Sequence, residues 1–579
     1  MIGPVRETRT VRETIHPPVF VASAVLILAF VAFAVAAPDT AGEVLGGVQG
    51  WITGAFGWFL ILAVVLFLGF CVWLALGRFA KVRLGPDDAT PDYATSSWFA
   101  MLFAAGMGIG LMYWGVAEPV IFYASDPPRF EPGTSEAARD AMLHAFHHWG
   151  FAPWAIYAVI GLGLAYFGFR HDQPLAIRSL FRPLLGGRVD GGLGNVIDVM
   201  AVVGTMFGVA TSLGLGVAQV NAGLNRVFGV TISTGVQLLL IAGITLVATV
   251  SVVSGLDKGI QRLSQFNIVL AALLMGFVLL AGPTLFLLGA FVQNTGAYLG
   301  GMTELLSRLG VYAGEDGQGW IGGWTVFYWA WWVSWSPFVG MFIARISRGR
   351  TIREFVLGVL LVPSLVSFGW FTVFGNSGIF FEDAGAGIDA LAAEDSSLAL
   401  FGLLEQLPLA GIVSMLAVLL VITFFVTSSD SGSFVIDMLT SGGDPDPHVA
   451  TRVFWAVTEG AVAAALLLAG GLGALQAGAV STGLPFTIVL VLATWSIARG
   501  LKREFAGAEP GRPKGLPPVH VRDVTDRERE FRRREQELGQ LQREIEVRER
   551  ELDVLSREIS LDTGDLDVDA RSGQPRDGG

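Results

Sequence analysis

Residues 324–343 form a stretch of twenty residues without a single charged side chain. That is the length an α-helix needs to cross the hydrocarbon core of a bilayer. Five of the protein's 16 tryptophans lie between Trp324 and Trp335. A cluster of basic residues follows, as is typical of the cytoplasmic end of a span: Arg345, Arg348, Arg350 and Arg353. The chain must therefore place this segment inside a membrane, where its tryptophans need partners.

The composition extends this conclusion to the whole chain. Of the 579 residues, 53% are hydrophobic and only 15% are charged, against about 25% charged in a typical soluble domain. We therefore expect an all-α polytopic membrane protein. The net charge of −12 argues against nucleic-acid binding, and the single cysteine, Cys71, excludes an internal disulfide or a thiolate metal cluster. With no ATP-binding loop and no reactive constellation in the sequence, we expect neither an enzyme nor a bound cofactor.

Apolar runs separated by polar loops predict about twelve transmembrane helices. The first run ends in Ala-Val-Ala-Ala and imitates a cleaved signal sequence, but it is too long for a signal core, so we predict a retained first span. The predicted spans cover residues 19–37, 54–77, 97–117, 141–168, 194–224, 231–253, 266–291, 321–344, 355–380, 408–440, 451–470 and 476–498.

The loops indicate how the chain is oriented. Lysine and arginine are concentrated in alternate loops, starting with Arg78, Lys81 and Arg83 after span two, whereas the opposite loops contain few. The cytoplasmic side of a membrane protein carries the excess of basic residues. We therefore predict a multi-pass protein of the inner (cytoplasmic) membrane with both termini in the cytoplasm.

Two segments outside the spans have patterns of their own. Residues 297–309 are too short and too polar to span, which predicts an amphipathic helix at the outer surface. In the tail, apolar residues recur at every seventh position from Val524 to Ile559, which favours a coiled coil. A single amphipathic helix is the alternative, because arginines occupy part of the second seam. The acidic, glycine-rich end from Asp562 is predicted to be disordered.

Aromatic residues of two predicted spans indicate a binding site for a cation. Ring faces attract a cation without a carboxylate being placed in lipid. Pro337 lies beside one of the two clusters, and we expect it to interrupt the helix. An ordinary packed helix interface is the alternative. The candidate residues are Trp149, Trp154 and Tyr157 of span four and Trp331, Trp332 and Trp335 of span eight.

Three histidines precede the aromatic residues of span four: His144, His147 and His148. Histidine is a common metal ligand, but no carboxylate or cysteine in the surrounding sequence completes a site. We therefore interpret the three as residues of the membrane interface.

Span three contains glycines at alternate positions, Gly106, Gly108 and Gly110, with Met107 between the first two. Glycine weakens a helix, and the packing of small residues in membranes favours a spacing of four rather than two. We therefore predict that the helix is unwound here. Its N–H and C=O groups would then be exposed at mid-membrane, where they can bind a carboxylate or a cation.

Span ten contains a polar run, residues 423–433, with six hydroxyl groups and one carboxylate. Such groups need partners inside a membrane. Oxygen atoms are hard ligands that suit a dehydrated alkali cation. Hydrogen bonding of the hydroxyls to the helix backbone is the alternative.

Together these stretches resemble the betaine–choline–carnitine transporter family of secondary carriers. The resemblance covers residues 97–500 and is carried by GMGIGLMYWGVAEP, HHWGFAPWAIY, SLGLG at 212–216, the tryptophan-rich segment through Arg353, and FVTSSDS. It implies a leucine-transporter-type fold and a homotrimer. The implied parts are a cytoplasmic N-terminal tail (1–18), two peripheral helices (19–96), a first five-helix repeat (97–292), an outer helix and loop (293–320), the inverted second repeat (321–500) and a cytoplasmic tail (501–579).

The resemblance also implies roles for individual residues. The aromatic box for a quaternary ammonium falls on Trp149, Trp154, Tyr157 and Trp332, with Trp331 and Trp335 nearby, and the backbone of Gly106, Met107, Gly108 and Gly110 faces the substrate. The main sodium site falls on the carbonyls of Ala104, Met107 and Phe424 and the hydroxyls of Thr427 and Ser428. A second sodium site falls on Thr205 and Phe338, but Val209 stands where the family has another threonine.

The sequence thus predicts a sodium symporter that imports a trimethylammonium solute, with glycine betaine as the expected substrate. Within the same family, a proton-coupled or sodium-independent carrier of choline or carnitine is the alternative. A membrane channel, or a sensor that signals through its tail, is the alternative from another class.

Overall fold

The computed structural model describes residues 10–106, 108–254 and 257–506. These residues form α-helices joined by short turns, brief 3-10 and π-helical segments and one isolated bridge, and ten of the helices are long and apolar enough to cross a membrane. The all-α polytopic class is therefore confirmed. Met107 and the predicted coiled coil lie outside the described residues.

The helices of the first half begin with α1 (Val11–Thr14) and continue as α2 (Pro17–Ala36), α3 (Pro38–Leu76), α4 (Thr95–Gly106), α5 (Ile109–Ala124), α6 (Ser135–Trp149), α7 (Phe151–Ala165), α8 (Arg182–Leu185), α9 (Gly192–Phe228), α10 (Thr234–Ser254) and α11 (Asp257–Ala281). Those of the second half are α12 (Thr284–Ser307), α13 (Gly314–Ile321), α14 (Phe327–Ile346), α15 (Ile352–Asp383), α16 (Ile388–Glu394), α17 (Ala399–Leu404), α18 (Ala410–Thr440), α19 (Val449–Leu468) and α20 (Gly471–Ala506).

Each of the twelve predicted spans can be assigned to one described helix or to a pair of consecutive helices. The ten long apolar helices match all of them except spans three and eight. Span three is the broken pair α4 and α5, and span eight is the tryptophan-rich α14. The grouping of these helices into inverted repeats remains a prediction from the family resemblance.

Two predicted boundaries are wrong. Span seven ends at Ala281 rather than at residue 291, and the next helix already starts at Thr284, so the predicted surface helix 297–309 is the end of a longer helix, α12. The cause is Pro283, which lacks a backbone N–H and restricts the residue before it. Span four is divided at Gly150, where α6 ends and α7 begins.

Helix α14 runs through Pro337 without interruption, contrary to the prediction. A proline has no N–H to donate to the carbonyl four residues earlier, which here belongs to Val333. The hydroxyl of Ser336 donates to that carbonyl at 2.7 Å. The serine therefore replaces the hydrogen bond that the proline removes, and the tryptophans stay on one regular helix.

Close backbone contacts hold α14 against its neighbours. A Cβ built on Gly340 would lie 3.1 Å from the backbone nitrogen of Gly161 in α7, and one on Gly161 would lie 3.2 Å from the carbonyl oxygen of Gly340. On another side, a Cβ on Gly483 of α20 would lie 2.7 Å from the carbonyl oxygen of Ala330. Real Cβ atoms essentially never come as close as 2.7 Å, and 3.1–3.2 Å is tighter than most real Cβ contacts. Glycine at these positions therefore favours this close packing.

Candidate functional site

Trp332 lies at the centre of the aromatic residues predicted to form a box. Its ring centroid is 4.8 Å from that of Trp149 and 6.4 Å from that of Tyr157, both edge to face, and Tyr157 meets Trp154 in the same way at 5.3 Å. All four side chains are buried. Such pairs add about 0.5–1.5 kcal/mol beyond burial alone. The sequence prediction that these four residues come together is therefore met by the geometry.

Trp331 and Trp335 occupy different positions around this centre. Trp331 stacks on Trp332 with centroids 4.5 Å apart and donates its indole hydrogen to the carbonyl of Gly208 at 3.4 Å. It therefore covers one face of Trp332. Trp335 lies 6.4 Å from Trp332, and its indole nitrogen has no hydrogen-bond partner among the described residues.

The predicted break in span three is present and reaches the aromatic residues. Helix α4 ends at Gly106, α5 begins at Ile109, and Gly108 between them is extended (φ −171°, ψ −174°). A Cβ built on Gly110 would lie 2.7 Å from Cη2 of Trp149 and 3.3 Å from Cη2 of Trp331. The first turn of α5 therefore abuts the aromatic box directly.

A buried carboxylate that sequence reasoning did not assign lies next to the box. Glu118 of α5 is fully buried, and its Oε2 accepts hydrogen bonds from the indole of Trp149 at 2.9 Å and the phenol of Tyr328 at 2.6 Å. Its Oε1 lies 2.7 Å from Nδ1 of His148. The carboxylate therefore fixes the orientation of two rings and one imidazole. Its only signal in the sequence was a charged residue within an apolar run.

His148 connects Glu118 to the central tryptophan. Its backbone carbonyl accepts the indole hydrogen of Trp332 at 3.0 Å, and its Nε2 lies 3.0 Å from the hydroxyl of Thr325. His144, His147 and His148 are all buried inside the protein, and their position at the membrane interface stays a prediction. Among the described residues, no group of three histidine, cysteine or acidic side chains could hold a metal ion.

Two of the predicted sodium ligands on α18 make hydrogen bonds within their own helix, as the alternative interpretation of this polar run expected. The hydroxyl of Thr427 donates to the carbonyls of Thr423 at 3.0 Å and of Phe424 at 3.1 Å, so two predicted ligands touch each other. Ser428 is partly exposed, and no hydrogen bond of its hydroxyl is found within the described residues. Met107 lies outside the described residues, so the approach of α4, with Ala104, to α18 stays a prediction.

Asn267 of α11 is a further polar residue at this point, which the sequence did not single out. Its side-chain amide donates to the hydroxyl of Thr427 at 3.3 Å, and its Oδ1 is buried without a partner among the described residues. An amide oxygen is a hard ligand of the same kind as a hydroxyl. The oxygen-rich region thus extends beyond α18.

The predicted second sodium site is incomplete in its ligands. Thr205 is fully buried, and its hydroxyl has no hydrogen-bond partner within the described part of the chain. Phe338 packs edge to face on Trp335 at 5.5 Å. Val209, one turn after Thr205, is also buried and offers two methyl groups where the resemblance implied a threonine.

The last turn of α18 is attached to the N-terminal segment. The backbone N–H of His16 donates to the carbonyl of Thr440 at 2.8 Å, and Nη1 of Arg178 lies 3.0 Å from Nε2 of the His16 ring. Burial, and secondarily the positive charge of Arg178, lower the pKa of His16 below its ordinary value. The neutral imidazole is therefore the form that fits this contact.

Comparison with known proteins gives consistent matches. The family model described as "BCCT, betaine/carnitine/choline family transporter" matches residues 18–506. A glycine betaine transporter of Acinetobacter baylyi is 46% identical over 490 residues, which cover 84% of this chain and 74% of that protein. A glycine betaine transporter of Bacillus subtilis is 46% identical over 476 residues, 82% of this chain and 92% of that protein. A glycine betaine/proline/choline transporter of Vibrio parahaemolyticus is 44% identical over 506 residues, 85% and 91% of the two chains.

Proposed function

This chain belongs to the betaine/carnitine/choline family of transporters, and from that premise we propose that it imports glycine betaine by sodium symport. The observation that carries the proposal is the contact of Gly110 with Trp149 and Trp331. It puts the exposed backbone of a broken helix beside an aromatic box. A betaine has one group for each part of this site: its carboxylate suits the exposed backbone, and its trimethylammonium head suits the aromatic box.

The trimethylammonium head of the substrate binds against the rings of Trp149, Trp154, Tyr157 and Trp332. A desolvated cation–π contact is worth up to about 2 kcal/mol, so a few contacts account for micromolar binding, which corresponds to about 8 kcal/mol. The substrate carboxylate accepts hydrogen bonds from the N–H groups at the start of α5, which are free because they begin a helix.

Sodium binds where the sequence predicted its main site. In the structure the Thr427 hydroxyl bonds to the Phe424 carbonyl, and a sodium ion between them takes both oxygens as ligands. With Ser428 and the carbonyls of Ala104 and Met107 it ties α4 to α18. Helix α4 directly precedes the break that binds the substrate. Sodium binding to α4 and α18 therefore favours the conformation that binds the substrate, and this couples sodium binding to substrate binding.

The remaining proposals follow from the family resemblance. The protein works as a homotrimer in the inner membrane, with both termini in the cytoplasm. Transport proceeds by rocking of one group of helices against the rest around the central site. Crosslinking in native membranes, and labelling of single cysteines in a Cys71→Ala background, would test the trimer and the orientation.

Uptake into proteoliposomes is the direct test of function. Labelled betaine, choline and carnitine are each offered under an imposed sodium gradient, a proton gradient, or neither. We expect betaine to accumulate only when sodium is higher outside. Saturable uptake of choline or carnitine without a sodium requirement would support the alternative carrier instead, and equilibration without accumulation under any gradient would indicate a channel.

A further inference from the structure

Glu459 of α19 is a second fully buried carboxylate, and unlike Glu118 it has almost no partners. Its Oε2 accepts one hydrogen bond, from the hydroxyl of Ser429 at 3.0 Å. Its Oε1 is buried and has no hydrogen-bond partner within the described residues. An ionised carboxylate can accept several hydrogen bonds, so this one is poorly solvated by the protein.

The free oxygen lies against a glycine, with a valine nearby. A Cβ built on Gly432 of α18 would lie 2.9 Å from Oε1 of Glu459 and 3.3 Å from both methyl groups of Val209 in α9. The carboxylate therefore points toward the wall formed by Gly432 and Val209. An isolated charge in such a place is costly, and a buried carboxyl group avoids the cost by becoming neutral.

The neighbouring charges do not offset a negative charge on Glu459. Asp430 of α18 acts on it as a like charge and is itself paired with Arg452 at 3.0 and 3.1 Å. Asp437, two turns further along α18, is another buried carboxylate. Helices α2 and α10, which also pack on α19, contain no charged residue. The charged residues of α3 and α20 lie near the ends of those helices. Asp198 of α9 is bound to Arg178.

We propose that Glu459 binds a proton in the membrane core and that occupancy of this proton site is linked to transport. A sodium ion fits less well, because an alkali cation needs several oxygen ligands and Val209 and Gly432 offer none beside Oε1. The carboxylate takes the proton from hydronium: one O–H bond of hydronium breaks, one O–H bond of the carboxyl group forms, and water is left. Release of the proton to water is the reverse step.

Ser429 connects this site to the proposed sodium site, and this part of the inference rests on the proposed function. When Glu459 is ionised it accepts from the Ser429 hydroxyl, and when protonated it can donate to the same oxygen. Ser429 directly follows Ser428, a proposed sodium ligand. Protonation therefore changes the hydrogen bonding of the residue next to the sodium ligand, which gives uptake a dependence on pH.

Infrared spectroscopy of the purified full-length protein tests the proton site without relying on transport. We expect a carboxylic-acid C=O band at neutral pH that is lost in Glu459→Gln and retained in Glu394→Gln, a control at an exposed glutamate. Equal spectra of the wild type and Glu459→Gln would overturn the proposal. If Glu459→Gln does not insert, Ser429→Ala should shift the band by removing the one hydrogen bond, and an unshifted band would equally overturn it.

Uptake into proteoliposomes as a function of pH tests the link to transport. With sodium varied at each pH, the apparent sodium constant of the wild type should change with pH. Glu459→Gln should make this constant nearly independent of pH, while Glu394→Gln behaves as the wild type. Identical pH profiles in all three proteins would overturn the link. Uptake by the wild type at neutral pH separately tests the proposed function. If the wild type shows no uptake but keeps the infrared band, sodium symport is rejected and the proton site is not.

Discussion

Trp149 and Tyr328 donate hydrogen bonds to the same atom, Oε2 of Glu118, at 2.9 and 2.6 Å. The two residues lie on α6 and α14, and Glu118 lies on α5. One carboxylate oxygen therefore sets the relative orientation of aromatic rings from separate halves of the chain. The aromatic box depends on this atom although Glu118 is not one of its walls.

Glu118→Gln is expected to lower substrate affinity about ten-fold or more, since a hydrogen bond to a charged group is worth about 1.5–3 kcal/mol. The amide keeps the shape but has one acceptor oxygen where the carboxylate has two. Titration of tryptophan fluorescence with betaine measures the effect. Glu394→Gln is the control, and unchanged affinity in Glu118→Gln would mean that the rings are held by packing alone.

Trp332→Ala is expected to weaken betaine binding by about 2 kcal/mol, the value of a desolvated cation–π contact. Trp324→Ala should have a small effect, because Trp324 bonds to Asp126 at 2.8 Å, away from the box. The same fluorescence titration compares the two variants. Similar losses in both would remove Trp332 from the substrate site.

Thr427→Ala combined with Ser428→Ala is expected to raise the apparent sodium constant more than about ten-fold, because two hard oxygen ligands are lost. Betaine uptake at increasing sodium measures it. Thr423→Ala is a matched control, since it removes a hydroxyl from the same helix that is not among the proposed sodium ligands. A sodium constant that is the same in all three proteins would locate the ion elsewhere.

Gly110→Ala is expected to reduce betaine affinity because its Cβ must displace the ring of Trp149. Gly110→Asp adds a charge to the same displacement, which repels the betaine carboxylate but offers choline a counter-charge. Competition of labelled betaine uptake by unlabelled choline measures the preference. If the aspartate variant keeps the ratio found in the alanine variant, charge at this position does not select the substrate.

Acidification is expected to release the N-terminal segment. The pKa of His16 is lowered below its ordinary value of 6.5, so the contact with Arg178 is stable above that value and weakens as the pH falls below it. Proteolysis or hydrogen exchange of residues 10–16 against pH measures the release. His16→Gln should show the same protection at all these pH values, and a wild type that is equally protected at pH 5 would contradict the expectation.

The parts of the site that the sequence predicted are those with a local signal. Gly106, Gly108 and Gly110 weaken their own helix, and the break appears there. Glu118 could not be assigned, because its partners Trp149 and Tyr328 are brought to it only by the packing of α6 and α14. The prediction that Pro337 interrupts its helix was wrong for a related reason. Whether a proline breaks a helix depends on whether another donor replaces its missing N–H, and the hydroxyl of Ser336 does so here.

The contact of Gly161 with Gly340 has a consequence for the moving protein. It brings the backbone of α7, which carries Trp154 and Tyr157, close to the backbone of α14, which carries Trp332. Two helices so closely apposed cannot slide or separate without opening a void. We therefore expect Trp154, Tyr157 and Trp332 to keep their relative positions in any movement of α7 or α14.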